Sequence, residues 1–157
     1  MGIIAFRMRE YSRSQESLVG SLESEQKTFD NILTKLMGQY KDLLAYQKGY
    51  ELAMKIFILS KKFPPEEKYS LTDQIRRSSR SVCTNLAEAF RRKRYKDYFI
   101  NKLNDSETEN AETEVWLDFA KDCSYMDTLE YQNLIALNTE GECNLNCVKV
   151  LVPSLPA

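Results

Sequence analysis

Residues 71–94 read LTDQIRRSSRSVCTNLAEAFRRKR, and this stretch decides the fold. At about 100° per residue with Ile75 set at zero, Val82 and Leu86 return to its side of a helix. Leu71, Ser78 and Ala89 complete that face, while Arg76, Arg77, Arg80 and Arg91 fall opposite with Thr84 and Ala87 among them. Arg92, Lys93 and Arg94 extend the charge at the helix end. A helix of this kind buries its apolar stripe against other helices and turns its guanidinium groups outward.

Working upstream, Pro64 and Pro65 end the preceding helix, because proline lacks the amide donor and disfavours helical geometry in the residue before it. That helix spans about 42–62, with Leu43, Tyr46, Tyr50, Ala53, Met54 and Phe57 at three- and four-residue intervals. The arginine-bearing helix starts near Ser70, with Asp73 as a variant capping box. Downstream, a third helix over about 95–121 puts Phe99, Leu103, Ser106, Asn110, Thr113, Leu117 and Ala120 on one stripe. Its middle is polar and small, which permits close approach of another helix. The fourth begins at Asp127 as N-cap with Glu130 three residues on, and presents Leu129, Leu134, Ile135 and Leu137.

No window shows sustained strand alternation, so the reading is all-α: an antiparallel up-down four-helix bundle over residues 40–140. Residues 1–39 form an N-terminal extension, partly helical, since Phe29, Ile32, Leu33, Leu36 and Met37 recur with helical spacing ahead of Gly38. Residues 7–21 show no period. A length of 157 residues suits one domain, and 43% hydrophobic with 29% charged residues argues for a folded chain over a disordered one.

The net charge of −1 conceals an asymmetry. Residues 74–96 hold eight Lys or Arg against one acid, and residues 97–122 hold eight acids against two Lys. The two segments can pair within a subunit, pair between subunits, or leave a basic face for a polyanion. Arginine forks suit phosphate oxygens, so the stripe is a candidate backbone-binding surface.

The sequence contains no histidine, which removes the commonest general base and transition-metal ligand. Di-iron bundles and helical ribonucleases with an Arg and His pair are thereby excluded. The acids Asp105, Glu107, Glu109, Glu112, Glu114 and Asp118 read as a solvated or ion-paired helix face before they read as a divalent-metal site. Cys143 and Cys147 have no second pair, so no zinc site is expected. With Cys83 and Cys123 they read as reduced thiols of a cytoplasmic protein, and the longest apolar runs are too short to span a membrane. Neither a catalytic residue nor a cofactor emerges; the chain reads as a binding protein.

The stretch from YKDLLAYQKGYELAMKIF through QIRRSSRSVCTNLAEAF to DTLEYQNL resembles the bacterial four-helix bundle family named after the intervening sequences of 23S ribosomal RNA. That family includes the accessory variability proteins of diversity-generating retroelements. The resemblance covers about residues 40–138, and implies a ring-like homopentamer with a basic surface that engages RNA or DNA and a reverse transcriptase. Its motif positions here are Gln74, Arg76, Arg77, Ser81, Asn85, Ala87 and Glu88, some serving packing or assembly, with Glu88 one turn from Arg91 and placed to orient it.

Two departures from the family pattern set further expectations. Members begin near the equivalent of Tyr40, which makes residues 1–36 an extension and Met37 a candidate start. The end reads GECNLNCVKVLVPSLPA, where Gly141, two Asn and a β-branched run disfavour a helix. Residues 141–157 are therefore expected to be an irregular, divergent tail, through a shifted frame or drift, leaving a fourth helix of about three turns.

Overall fold

The computed structural model describes residues 38–151, and every regular element among them is helical. The helix expected over 24–37 and the lead-in over 7–21 lie outside the described residues. The chain enters through Gly38 at φ +58°, where an added Cβ would sit 2.8 Å from Asp42 Oδ2. Glycine takes that left-handed conformation without strain, and any Cβ there would displace the Asp42 carboxylate. Asp42 accepts the Gln39 amide proton at 2.9 Å and closes a 3-10 turn over Tyr40–Asp42.

Helix α1, Leu44–Leu59, runs into a second 3-10 turn over Ser60–Lys62 and stops before Pro64. Its buried side is Ala45, Gly49, Leu52, Ala53, Ile56 and Leu59, a different stripe from the one expected. Of the expected set, Leu43 and Ala53 are buried and Tyr46 and Phe57 half-buried, but Tyr50 and Met54 are 54% and 43% exposed. Apolar residues occupy most of the α1 circumference, so periodicity alone admits more than one inward face. Gly49 selects the face: a Cβ there would lie 3.2 Å from Val82 Cγ1, so the helix axes approach where side chains are smallest.

Pro65–Tyr69 forms another 3-10 turn and delivers the chain to helix α2, Leu71–Arg91. The expected Ser70 and Asp73 box does not form. Glu67 caps α2 instead, accepting from the Leu71 amide at 3.2 Å, the Ser70 hydroxyl, and Tyr125 Oη at 3.1 Å. Those bonds hold its carboxyl below the ordinary value, Ser70 contributing most.

Helix α3, Lys96–Asp122, follows a tight corner, and α4, Thr128–Leu151, follows a turn in which Ser124 takes φ +61°. Asp127 accepts the Glu130 amide proton at 2.8 Å, the expected N-cap. The pairs α1/α2, α2/α3, α3/α4 and α4/α1 pack, which closes the four helices into an antiparallel square. Every expected core position of α2 and α3 is buried.

The interior is two apolar clusters, one around Leu86, Phe99 and Leu145 and the other around Ile56, Ile75 and Leu117. Between them lie Ser78, Ser106, Asn110, Thr113 and Asn138, each at most 2% exposed. Thr113 Oγ1 meets Ser78 Oγ at 2.9 Å, Ser106 donates to the Val82 carbonyl at 2.9 Å, and Asn110 donates to the Asn138 carbonyl at 3.2 Å. These bonds repay much of the desolvation that a buried polar group costs, and they tie α3 to both neighbours.

The expected irregular tail is corrected here. Helix α4 continues through Gly141 to Leu151 and spans 24 residues. Leu145 and Val148 enter the first apolar cluster beside Leu43 and Ala45, and Gly141 is buried against Asn110. Burial of these side chains outweighs the weak helix propensity of Gly and Asn, as tertiary packing commonly does. Residues 152–157 lie outside the described residues.

Candidate nucleic-acid interface

The basic stripe of α2 is split between two seams. Arg76 is half-buried on the α1 side, where its Nε donates to Ser60 Oγ at 2.7 Å and its guanidinium lies 5.2 Å from the Phe57 ring centroid. Arg80 reaches the same ring at 5.6 Å and is otherwise exposed. Arg77 faces the opposite seam, donating to Gln74 Oε1 at 2.8 Å and standing 3.7 Å from Glu112 of α3. It alone among the expected arginines lies within ion-pair distance of a carboxylate in the described residues.

At the corner between α2 and α3, Arg91, Arg92 and Arg94 are exposed and Lys93 is half-buried. Arg92 covers the Tyr98 ring at 4.8 Å, and Tyr95 beside it is 54% exposed. Stacking over an aromatic ring leaves the guanidinium edge donors available, unlike a bidentate carboxylate pair.

The remaining motif residues pair or pack within the subunit. Glu88 pairs with Lys102 at 3.0 Å and not with Arg91, because Lys102 also reaches Asp105 at 3.2 Å and Asn85 Oδ1 at 3.3 Å. Hydrogen bonding to Glu88 and then Asp105 raises the Lys102 pKa. Ser81 and Ala87 are half-buried on the same helix, Ser81 receiving the Thr84 hydroxyl at its carbonyl.

Most of the α3 acids with a partner meet groups other than the arginine stripe. Glu107 binds Lys149 of α4 at 2.5 Å, Glu114 accepts from Asn138 at 3.3 Å, and Asp118 accepts from Tyr131 Oη at 2.7 Å. The last bond lifts the Tyr131 phenol to about 12. Glu112 accepts from Trp116 Nε1 at 3.0 Å besides facing Arg77. Among the described residues no group of three or more metal-ligating side chains is assembled, and no helix is long and apolar enough to cross a membrane.

Reasoning from sequence missed Lys61, which lies 4.5 Å from the Phe57 centroid and joins Arg76 and Arg80 there. The available signal was its position four residues after Phe57 on a helix that must pack beside α2. It was obscured because Phe57 was assigned to the core.

No curated protein matches the chain. Its fold is similar to the crystal structure of a protein of unknown function from the S23 ribosomal protein family of Bacteroides thetaiotaomicron. The two are 31% identical, with a TM-score of 0.61 over 68% of this chain and 95% of that one. The family described as 23S rRNA-intervening sequence protein matches residues 41–146, from the turn before α1 to beyond the glycine in α4. With the helices, their order and that match in agreement, the chain belongs to the 23S rRNA-intervening sequence protein family.

Proposed function

We propose that this chain is a non-enzymatic, cytoplasmic binding protein that seats the phosphate backbone of RNA or DNA on the α2 side of the bundle. Arg76, Arg80, Arg91, Arg92 and Arg94 make the contact, with Lys93 at the corner. The observation that carries the reading is the unequal fate of the two charges. Asp105, Glu107, Glu114 and Asp118 of α3 are taken up by Lys102, Lys149, Asn138 and Tyr131, whereas Arg76, Arg80 and Arg92 rest on aromatic rings or a hydroxyl. The lack of histidine supports a binding role over catalysis.

Fluorescence anisotropy with labelled RNA and DNA over a salt series tests this. About four or five phosphate contacts give a log–log slope of roughly −3 to −5. Absence of binding at low salt removes the proposal and leaves a purely structural homo-oligomer, the reading that the Arg77 and Glu112 pair favours.

Assembly into a homo-oligomer, a pentamer by family resemblance, belongs to the same reading. Tyr50, Met54 and Ile58 recur every four residues on α1 and are 54%, 43% and 59% exposed, an apolar strip suited to a second copy. A reverse transcriptase is the accessory partner implied if the gene lies in a retroelement. Light scattering tests the assembly, and an exclusively monomeric species would count against it.

A further inference from the structure

Three cations converge on one ring. Lys61 Nζ, Arg76 Cζ and Arg80 Cζ lie 4.5, 5.2 and 5.6 Å from the Phe57 centroid, so one ring at the α1/α2 seam carries three cations. None has a carboxylate within 4.0 Å among the described residues. The ring face offsets part of the repulsion between like charges, since its quadrupole attracts each cation. Ser60 fixes the arrangement further: it is 3% exposed, accepts from Arg76 Nε at 2.7 Å, and donates to the Phe57 carbonyl at 3.2 Å. Arg76 is thereby held in place with its terminal amino groups still free to donate, while Lys61 and Arg80 are exposed.

We propose that Lys61, Arg76 and Arg80 form a discrete phosphate-binding site around Phe57. Arg76, held by Ser60, and the two exposed cations that share its half-buried aromatic floor can close on the oxygens of one phosphate group, and neutralising their mutual repulsion favours the bound state. That this phosphate belongs to a nucleic-acid backbone rests on the function proposed above. The site adds Lys61, from the 3-10 turn that follows α1, to the contacts of that face. Binding therefore bridges the end of α1 and α2.

The test follows the arginine Nε–Hε resonances of the full chain by NMR during titration with inorganic phosphate, against chloride at matched ionic strength. The expected result is that Arg76 and Arg80 shift together with one saturating dissociation constant, while Arg91 and Arg94 move no more than in chloride. Lys61→Gln, at an exposed position, is expected to weaken phosphate binding about tenfold, as loss of one charge-assisted contact does. Non-saturating shifts, or equal shifts at Arg91 and Arg94, overturn the site. RNA anisotropy on the same samples separates the two ideas. Phosphate saturation without RNA binding keeps the site and removes the nucleic-acid reading. RNA binding that is indifferent to Lys61→Gln and Arg76→Gln together removes the site and keeps that reading.

Discussion

The outward faces of α2 and α3 carry opposite charge and are used in opposite ways. On α3, Glu107, Glu114 and Asp118 reach across to Lys149, Asn138 and Tyr131 of α4, so the negative charge holds two helices together. On α2, Arg76 and Arg80 lean on Phe57 of α1 without meeting a carboxylate, and Arg91 and Arg94 are exposed at the corner. Between these adjacent segments of opposite charge, only Arg77 with Glu112 and Glu88 with Lys102 pair among the described residues. Acid is mostly spent on structure and most of the base is left for a ligand, because Lys102, Lys149, Asn138 and Tyr131 take Asp105, Glu107, Glu114 and Asp118.

Charge reversal on the two faces should break this contrast most visibly. Arg76→Glu, Arg80→Glu and Arg91→Glu combined are expected to lower RNA affinity by about 100-fold or more at low salt, since each reversal removes one phosphate contact and adds a repulsion. Thermal midpoint should move by only a few degrees, because the lost contacts are the Arg76 and Arg80 cation–ring pairs, worth about 0.5–1 kcal/mol each, and the Arg76 hydrogen bond to Ser60, worth about 1 kcal/mol. Anisotropy and a melting curve on the same sample measure both. A collapse of the fold with no separate effect on affinity would show that the α2 face is structural after all.

The converse variant lies on the other seam. Lys149→Met removes the partner of Glu107, a pair whose side chains are 23% and 34% exposed. The expected loss is about 1 kcal/mol, at the upper end for a surface ion pair, or roughly 4 °C in melting temperature. RNA affinity should stay within about twofold, well under the 1.4 kcal/mol that a tenfold change requires. Weakened RNA binding would place Lys149 on the ligand face and blur the division.

Much of this arrangement was legible before the structure. The α2 and α3 stripes could be read residue by residue because each helix has a narrow apolar face bordered by charge, so only one orientation buries it. Helix α1 defeated the same reading. Its apolar residues surround it, and the choice of face depends on Gly49 meeting Val82, a contact between residues distant in sequence. The tail failed differently: local propensity of Gly141 and the asparagines was weighed without the burial of Leu145 and Val148. In the site, the arginines were visible as a stripe, but the split that sends Arg77 to Glu112 and Arg76 to Phe57 depends on which helix lies on each side. Lys61 and the Glu88 to Lys102 pair needed the same information.

Tightening the α3/α4 seam should sharpen the contrast by a smaller amount. A Cβ at Gly141 would lie 3.5 Å from Asn110 Oδ1, an ordinary contact, in the middle of a helix. Gly141→Ala is expected to stabilise by about 0.5–1 kcal/mol through helix propensity, with RNA affinity unchanged. Gly49→Ala is the control, since its Cβ would meet Val82 Cγ1 at 3.2 Å and the packed valine must give way. Chemical denaturation should move the two midpoints in opposite directions. A loss of stability in Gly141→Ala would mean that the polar layer cannot accept one methyl group.

The smallest effect concerns the acid that fits the pattern least. Glu109 of α3 has a buried Oε2 without a hydrogen-bond partner, and its pKa is raised, chiefly by desolvation and then by the Glu112 charge, against an opposing contribution from Arg77. A carboxyl with a raised folded pKa binds its proton more tightly when folded, so its contribution falls as pH rises from the ordinary value through the raised one. Glu51 and Glu67, with lowered values, run the other way: their stabilisation is present above the ordinary carboxyl value and fades as pH falls through their own. Glu109→Gln should therefore raise the melting temperature by about 1 to 2 °C at neutral pH, a gain that vanishes in acid where both side chains are neutral. Melting curves at the two pH values decide it. A fall at neutral pH would mean that Glu109 is also paired in solution, with Arg77, whose charge already opposes the rise in its pKa, as the candidate partner, and that the α3 face is spent on structure without exception.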